Sequence, residues 1–342
     1  MPLPQYQYPI NTLVSMTIDA KLDEIVDGIF ISNALFQRLY QNYQGGNSRA
    51  IRYRGGMLIR SAIWYNKMPA YSYGPGTTFG TAKREFQTDL QFEWKQAAAE
   101  LNVYGLDVFR NQSDVAQIFD YVETATINAF NSLADEIGFM IFGTEQDPTT
   151  GQVVPRTFQP TDWDGLYNGI LDTGTYGGIP RSPNFGTPGY AIRSQVFDAG
   201  GAPISFSLMQ RAYGAVTFNR TRPDLIVTTQ KIWDQIWARS QPSERNQPGP
   251  LREVGFETVR FNGAEVVVDH HVLPGEMYLL NTNFIELWLG EGNDFIRRSK
   301  RDGFDNGYPN PVQDSYIDQV ICYGNLVVSG PRYQAKIINI AE

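Results

Sequence analysis

The stretch DVAQIFDYVETATINAFNSLADEIGFMIFG (Asp114–Gly143) carries the longest periodic pattern in the sequence. Asn111 or Ser113 can cap its N-terminus, and Gly143 stands where a C-terminal glycine belongs. We predict a helix of roughly eight turns, about 40 Å long, and call it the spine helix. Its largely apolar residues recur at helical spacing, at Val115, Ile118, Phe119, Val122, Thr126, Ala129, Phe130, Leu133, Ile137, Met140 and Ile141.

The segment at the N-terminal end reads as an arm. Around Ile29–Leu39 a short amphipathic piece places Ile31, Leu35, Phe36 and Leu39 on one face, and the polar run at 41–50 then breaks it. Residues 1–50 contain too little apolar surface to fold alone. The arm must therefore bury its apolar face either against the body of this chain or against a neighbouring subunit.

Between the arm and the spine helix the sequence predicts β-structure around an extended loop. Alternating patterns mark strands within Met57–Trp64, Leu90–Lys95 and Leu101–Tyr104. The intervening stretch Pro69–Phe86 is rich in Gly, Pro, Thr and Tyr, and it is too long for a tight turn. We therefore expect two long strands that carry an extended loop.

Beyond Asp147, predicted helices and strands alternate. Helices are expected at Asp164–Ile170, at Ser205–Ala215 and, after the buried strand Asp224–Val227, at a segment capped by Thr228 or Thr229. The capped helix presents Ile232, Trp233, Ile236 and Trp237 on one face.

The clearest hairpin signal is the dipeptide Asn262-Gly263 between the strands Glu257–Phe261 and Ala264–Asp269. Further strands are predicted at Met277–Asn281, Ile285–Trp288, Val320–Tyr323, Leu326–Val328 and Ala335–Ile340. With these helices and strands, the predicted fold class is α+β.

Composition narrows the class of protein. The 342 residues are 42% hydrophobic, enough for a sizeable core, and the net charge of −8 argues against a protein that coats nucleic acid. No run approaches the roughly 18 apolar residues of a membrane span, and the N-terminus lacks a signal-peptide pattern. We expect a protein that is made and assembled in a cytoplasm.

The segment VVVDHHVLPGEM (Val266–Met277) contains the triplet Asp269, His270 and His271, which looks like a metal site at a strand end. A metal-dependent phosphoesterase needs a further histidine upstream, and the chain has only these two. We therefore expect that Asp269 caps a bend into the Leu273-Pro274-Gly275 turn, with no metal site.

No other motif predicts catalysis or cofactor binding. GPGTTFG (Gly74–Gly80) lacks the Lys-Ser/Thr of a phosphate loop, and RRSKR (Arg297–Arg301) fits a solvated turn. Asp135 and Glu136 fit a solvated helix face. The single cysteine, Cys322, excludes an intrachain disulfide and is expected to be buried. The sequence therefore predicts no enzyme, no catalytic, cofactor-binding or metal-binding residue, and no cofactor.

Taken in order, these elements resemble the major capsid proteins of bacteriophages with the HK97-like fold. The resemblance covers most of the chain, and its specificity lies in the order and spacing of the motifs. The segments that carry it are Asn33–Leu39, the loop ending in Phe92–Gln96, the spine helix, Arg222–Thr229 with the Trp-bearing helix, Gly263–Asp269 and Leu273–Asn281.

The resemblance implies an HK97-like architecture in four parts. Residues 1–50 would form the N-terminal arm, and 51–110 the extended β-hairpin loop (E-loop) with its base strands. Residues 111–150 would form the peripheral domain with the spine helix, completed by 320–342. Residues 151–319 would form the axial domain.

The resemblance also implies a function. The chain would self-assemble as pentamers and hexamers into an icosahedral head that encloses double-stranded DNA without sequence-specific binding. Expected partners are a separate scaffold protein, a portal and decoration proteins, with no membrane. Lys67 and Lys83 lie in or near the loop, but no acceptor is specified and no covalent cross-link is predicted. The alternatives are an encapsulin-like cellular compartment and, remotely, a metal-dependent phosphoesterase using Asp269, His270 and His271.

Overall fold

The computed structural model describes residues 34–41, 50–68, 70–78, 80, 84–104, 115–244, 259–303 and 307–342. The helices are α1 (Ala34–Gln41), α2 (Val115–Phe142), α3 (Leu166–Gly169), α4 (Pro188–Ala191), α5 (Phe206–Ala215), α6 (Gln230–Glu244) and α7 (Arg298–Arg301). Short 3-10 turns lie at Thr282–Phe284 and Pro331–Tyr333.

Within the described residues, the strands form two larger sheets and three two-stranded ones. They are β1 (Ala50–Tyr53), β2 (Leu58–Trp64), β3 (Gln87–Glu93), β4 (Lys95–Tyr104), β5 (Thr144–Gln146), β6 (Val153–Pro155), β7 (Thr175–Tyr176), β8 (Ile179–Pro180), β9 (Gln195–Asp198), β10 (Leu225–Thr228), β11 (Val259–Phe261), β12 (Ala264–Val268), β13 (Met277–Leu280), β14 (Ile285–Gly290), β15 (Ile296–Arg297), β16 (Tyr308–Pro309), β17 (Ser315–Val328) and β18 (Ala335–Ile338).

The spine helix is confirmed as α2. Its predicted apolar stripe is buried at Ala129, Phe130, Leu133, Ile137, Met140 and Ile141. The helix ends at Gly143, whose φ of 71° suits glycine, and a Cβ atom there would lie 2.6 Å from the side chain of Tyr167. The predicted caps Asn111 and Ser113 lie outside the described residues.

The first large sheet is built around the 14-residue strand β17. The strand order is β1-β14-β17-β15, and β4 and β16 also pair with β17. β4 runs antiparallel to β17 from Tyr104 opposite Ser315 to Lys95 opposite Gly324, and α2 packs against both strands. The two strands predicted at Val320–Tyr323 and Leu326–Val328 are parts of this one strand.

The second large sheet has the order β11-β12-β10-β13-β18-β9. Its central strands β10 and β13 are buried along their whole length. Because side chains of a strand alternate between its two faces, Leu225 and Val227 join the core around α2, whereas Ile226 joins a second core with α5 and α6. The predicted cap of α5 is confirmed, since the Ser205 side chain accepts a hydrogen bond from the Leu208 amide.

Both predicted hairpins form. β11 and β12 turn at Asn262 and Gly263, which have φ values of 51° and 90°, as a tight two-residue hairpin requires. β2 pairs with β3 from Leu58 opposite Glu93 to Trp64 opposite Gln87, and the extended loop lies between them.

The helix of the arm packs against the body of its own chain. Leu35, Phe36 and Leu39 of α1 are at most 2% exposed. Arg38 of the same helix donates to Glu265 Oε2 at 2.7 Å and to Asp224 Oδ2 at 3.4 Å. Of the two alternatives open for this apolar face, the structure shows burial within the chain for these three residues, and Ile31 lies outside the described residues.

The four-part division of the chain stays a prediction, and several strand pairings run across its boundaries. β14, within the predicted axial domain, pairs with β17 and β1. β18, within the segment predicted to complete the peripheral domain, pairs with β13 and β9 of the second sheet.

We predict that Ile137→Ala lowers the free energy of unfolding by about 2–5 kcal/mol, because Ile137 is fully buried on the inner face of the spine helix. Asn131→Ala, on the exposed face of the same helix, should change it by less than about 0.5 kcal/mol. Urea unfolding of the unassembled chain measures both values. Equal losses in the two variants would contradict the packing described for α2.

Candidate functional site

Asp269, His270 and His271 lie at the end of β12, where the chain leaves the second sheet. The Asp269 amide donates to the Thr228 carbonyl at 3.1 Å and continues the pairing with β10. The chain then turns through Gly275, which has a φ of 81°, into β13. Thr144, just after the spine helix, donates its hydroxyl to the His271 carbonyl at 2.7 Å, so the turn is held against the C-terminal end of α2.

The turn brings both imidazoles to one carboxylate of the spine helix. Asp135 Oδ1 lies 3.0 Å from Nε2 of His270 and 2.9 Å from Nε2 of His271. On its other side, the His271 ring has Nδ1 2.7 Å from Asp269 Oδ1. His271 and Asp269 are fully buried, and Phe139 packs edge-on against the His271 ring at 4.7 Å.

The carboxylates set the charge of this cluster. Hydrogen bonds from His270 and His271 hold the pKa of Asp135 well below its usual range. Burial alone would lower the pKa of His271, but the hydrogen bonds and charges of Asp135 and Asp269 outweigh it and raise the pKa to about 9. His271 is therefore a cation at neutral pH when protons alone occupy the site.

The structure does not unite Asp269, His270 and His271 as one ligand set, as the remote phosphoesterase alternative requires. Asp269 bonds Nδ1 of His271, while both Nε2 atoms face Asp135. Sequence reasoning missed Asp135 as the partner. The one available signal was its position beside the buried stripe between Leu133 and Ile137.

Asp135 and Glu136 are partly exposed, and both are bonded to other segments of the chain, which the interpretation as a solvated helix face did not predict. Glu136 accepts from Arg156 Nη1 at 2.7 Å, and the same guanidinium donates to both oxygens of Asp162 at 3.0 and 3.2 Å. The spine helix is thus joined by polar contacts to two separate parts of the chain.

The remaining motifs lie in a turn, in a basic strand and helix, and in the core of the first sheet. The described part of Gly74–Gly80 forms a turn in which the Thr77 amide donates to the Gly74 carbonyl. In the basic run, Arg297 is buried against Asp318 at 2.6 Å, and Arg301 pairs with Asp302 at 2.9 Å. Cys322 is buried as expected, and burial raises its pKa to about 12.

A second candidate region is the β2–β3 hairpin with its loop. β2 alternates in burial along its length, with Ile59 and Ile63 inside and Trp64 77% exposed. Met57 and Met68 beside it are 93% and 55% exposed. The hairpin therefore exposes large apolar side chains at both ends of β2, and exposed apolar surface of this kind is typical of a region that another molecule covers.

No helix in the described part of the chain is long and apolar enough to cross a membrane. No family model and no curated protein matches the sequence.

Comparison with solved structures identifies the fold. The chain is similar to a capsid protein of cyanophage A-1(L), with a TM-score of 0.62, 15% identity, and coverage of 86% of this chain and 91% of that one. A capsid protein of a native GTA particle matches with a TM-score of 0.52 and 10% identity, over 86% and 88% of the two chains. A protein of Mycobacterium phage Bobi matches with a TM-score of 0.52 and 11% identity, over 84% and 87%. The chain has the HK97-like fold of phage major capsid proteins, as the order of its motifs predicted.

We predict that His271 titrates near pH 9 in a chelator-containing buffer, where only protons compete for its nitrogens. A pKa raised by folding contributes stability that is fully present below about pH 6.5 and is lost as the pH rises through about 9. The unfolding temperature of the unassembled chain should therefore fall over this interval.

Asp135→Asn should flatten this fall, because it removes one of the two carboxylates that raise the pKa of His271. Glu136→Gln alters the neighbouring carboxylate but leaves the imidazoles untouched, so this variant should show the same fall in unfolding temperature as the parent. Thermal unfolding from pH 6 to 10 tests the pair, and a D135N profile with the same slope as the parent would refute the assignment.

Proposed function

We propose that this chain is the major capsid protein of a phage, which self-assembles as pentamers and hexamers into an icosahedral head around double-stranded DNA. The observation that carries the proposal is the HK97-like fold over 86% of the chain, with a TM-score of 0.62 to a cyanophage capsid protein. The sequence also shows no catalytic constellation, which fits a structural protein rather than an enzyme.

The exposed hairpin supports assembly between copies of the chain. Trp64 and Met57 expose most of their apolar surface in the isolated subunit. Removing such side chains from water is favourable by about 25 cal/mol per Å² of apolar surface, before the entropy cost of association is subtracted. An extended loop of this kind gains a stable environment when a neighbouring subunit covers it.

Charge supports enclosure of DNA without tight binding. The net charge of −8 disfavours adhesion to a polyanion, and the densest basic run is partly neutralised by Asp318 and Asp302. As a capsid protein the chain would be located in the virion, with a separate scaffold protein, a portal and decoration proteins as partners.

Electron microscopy of the purified chain should show rings with fivefold or sixfold symmetry, or closed shells. A protein that stays strictly monomeric at high concentration would overturn the proposal.

We predict that Trp64→Ser reduces assembly at least about tenfold, because it removes the largest exposed apolar side chain of β2. The unfolding temperature of the unassembled chain should not change, since Trp64 is exposed in the subunit. Trp64→Tyr keeps an aromatic surface and serves as the matched control. Light scattering under assembly conditions measures the effect, and equal assembly by W64S and the parent would exclude this surface from the interface.

A further inference from the structure

The Asp135–His270–His271 cluster brings three atoms that can bind a metal close together, namely Asp135 Oδ1 and the Nε2 atoms of His270 and His271. Asp135 Oδ1 is 3.0 and 2.9 Å from the two Nε2 atoms, and all three atoms lie within 4.8 Å of one another. A tetrahedral zinc ion with bonds of about 2.0–2.1 Å separates its ligand atoms by about 3.3–3.4 Å. To admit such an ion, the two short edges of the cluster need to open by only a few tenths of an ångström, and the third edge, between the two Nε2 atoms and at most 4.8 Å long, has to adjust to the same spacing.

When His271 is neutral, its hydrogen bonds leave the lone pair of Nε2 directed at Asp135. Asp269 Oδ1 accepts from the His271 backbone amide at 3.1 Å and lies 2.7 Å from Nδ1, so it holds a proton on Nδ1. Nε2 of a neutral His271 then faces another lone-pair atom, Asp135 Oδ1, at 2.9 Å. Two acceptors at that distance require a positive species between them, either a proton or a metal ion.

The surrounding charge favours a dication in this position. Asp269 is fully buried, and its Oδ2 atom has no hydrogen-bond partner among the described residues. With neutral imidazoles, the negative charges of Asp135 and Asp269 are not balanced within the cluster. A carboxylate that orients a ligating histidine through Nδ1 is also the usual outer-sphere partner at metal sites.

The donor set selects the kind of metal. Two imidazole nitrogens and one carboxylate oxygen suit zinc and its neighbours among the transition metals, whereas calcium and magnesium prefer oxygen ligands throughout. His270 and Asp135 are half-exposed, so the ion has a route from solvent and water can occupy a fourth position.

We propose that Asp135, His270 and His271 form a site for a transition-metal dication, best fitted by zinc, that fastens the spine helix to the turn between β12 and β13. Asp269 is a positioning residue that fixes the ring of His271. The earlier expectation of no metal site rested on the number of histidines, and Asp135 supplies the third donor from a distant part of the chain.

The test is zinc binding to the full, chelator-treated chain in its unassembled state. Isothermal titration calorimetry with zinc chloride should show one ion per chain, and the bound ion should raise the unfolding temperature. The background is low because the chain has only these two histidines and one buried cysteine.

His270→Ala and Asp135→Asn should each weaken zinc binding by at least about a hundredfold, since outer-sphere partners alone already change metal affinity about 10–100-fold. Glu136→Gln is the matched control, because Glu136 is the adjacent carboxylate with nearly the same exposure, 45% against 42%. It should bind zinc within about twofold of the parent.

Three results would overturn the proposal. They are a parent chain that binds no zinc at about 100 µM, an H270A variant that binds as tightly as the parent, and an E136Q variant that loses as much affinity as D135N. All of these measurements use the unassembled chain, so they are independent of whether it forms shells.

Discussion

The packing of the spine helix onto β4 and β17 is the interaction on which the rest of the structure depends. The stripe from Ala129 to Ile141 is buried against these strands, and their ten-residue antiparallel register fixes the first sheet. β17 also pairs with β14, and β14 in turn pairs with β1, so these strands belong to the same sheet. Loss of this apolar contact would therefore remove the support of both the helix and the sheet.

The second sheet is joined to that centre through strands buried on both faces. In β13, Tyr278 and Leu280 face the core around the spine helix, and Met277 and Leu279 face the core with α5 and α6. Two helical layers therefore share one sheet, and the polar group of Tyr278 is satisfied inside it by Glu276 at 2.8 Å. A strand that is covered on both faces has a continuous apolar sequence instead of an alternating one, and β10 and β13 are largely of this kind.

Elements encoded by local patterns could be predicted from the sequence. The spine helix follows from 3.6-residue spacing, and the Asn262-Gly263 hairpin follows from the positive φ values that its turn needs. The continuity of β17 could not be predicted, because Gly324 and Asn325 look like a break. In the fold, Gly324 permits close contact with the Trp288 carbonyl, and Asn325 bonds Asp164 and Glu93.

The candidate site was the least predictable part, because its members are distant in the sequence. His271 and Asp135 are 136 positions apart, and no local periodicity encodes that contact. The histidine count predicted that the triplet lacks the ligands of a phosphoesterase. It could not show that an acidic residue on the flank of the spine helix faces the same turn.

The two adjacent carboxylates of the spine helix limit the rotation of the helix about its axis, which apolar packing alone leaves free. A smooth apolar stripe tolerates small rotations of a helix about its axis, because the hydrophobic effect has no preferred direction. Successive residues of a helix point about 100° apart, so Asp135 and Glu136 reach different segments. Asp135 meets His270 and His271, and Glu136 meets Arg156. Because both contacts are held at once, the pair restricts rotation of the helix about its axis against the turn that leads into the central strand β13.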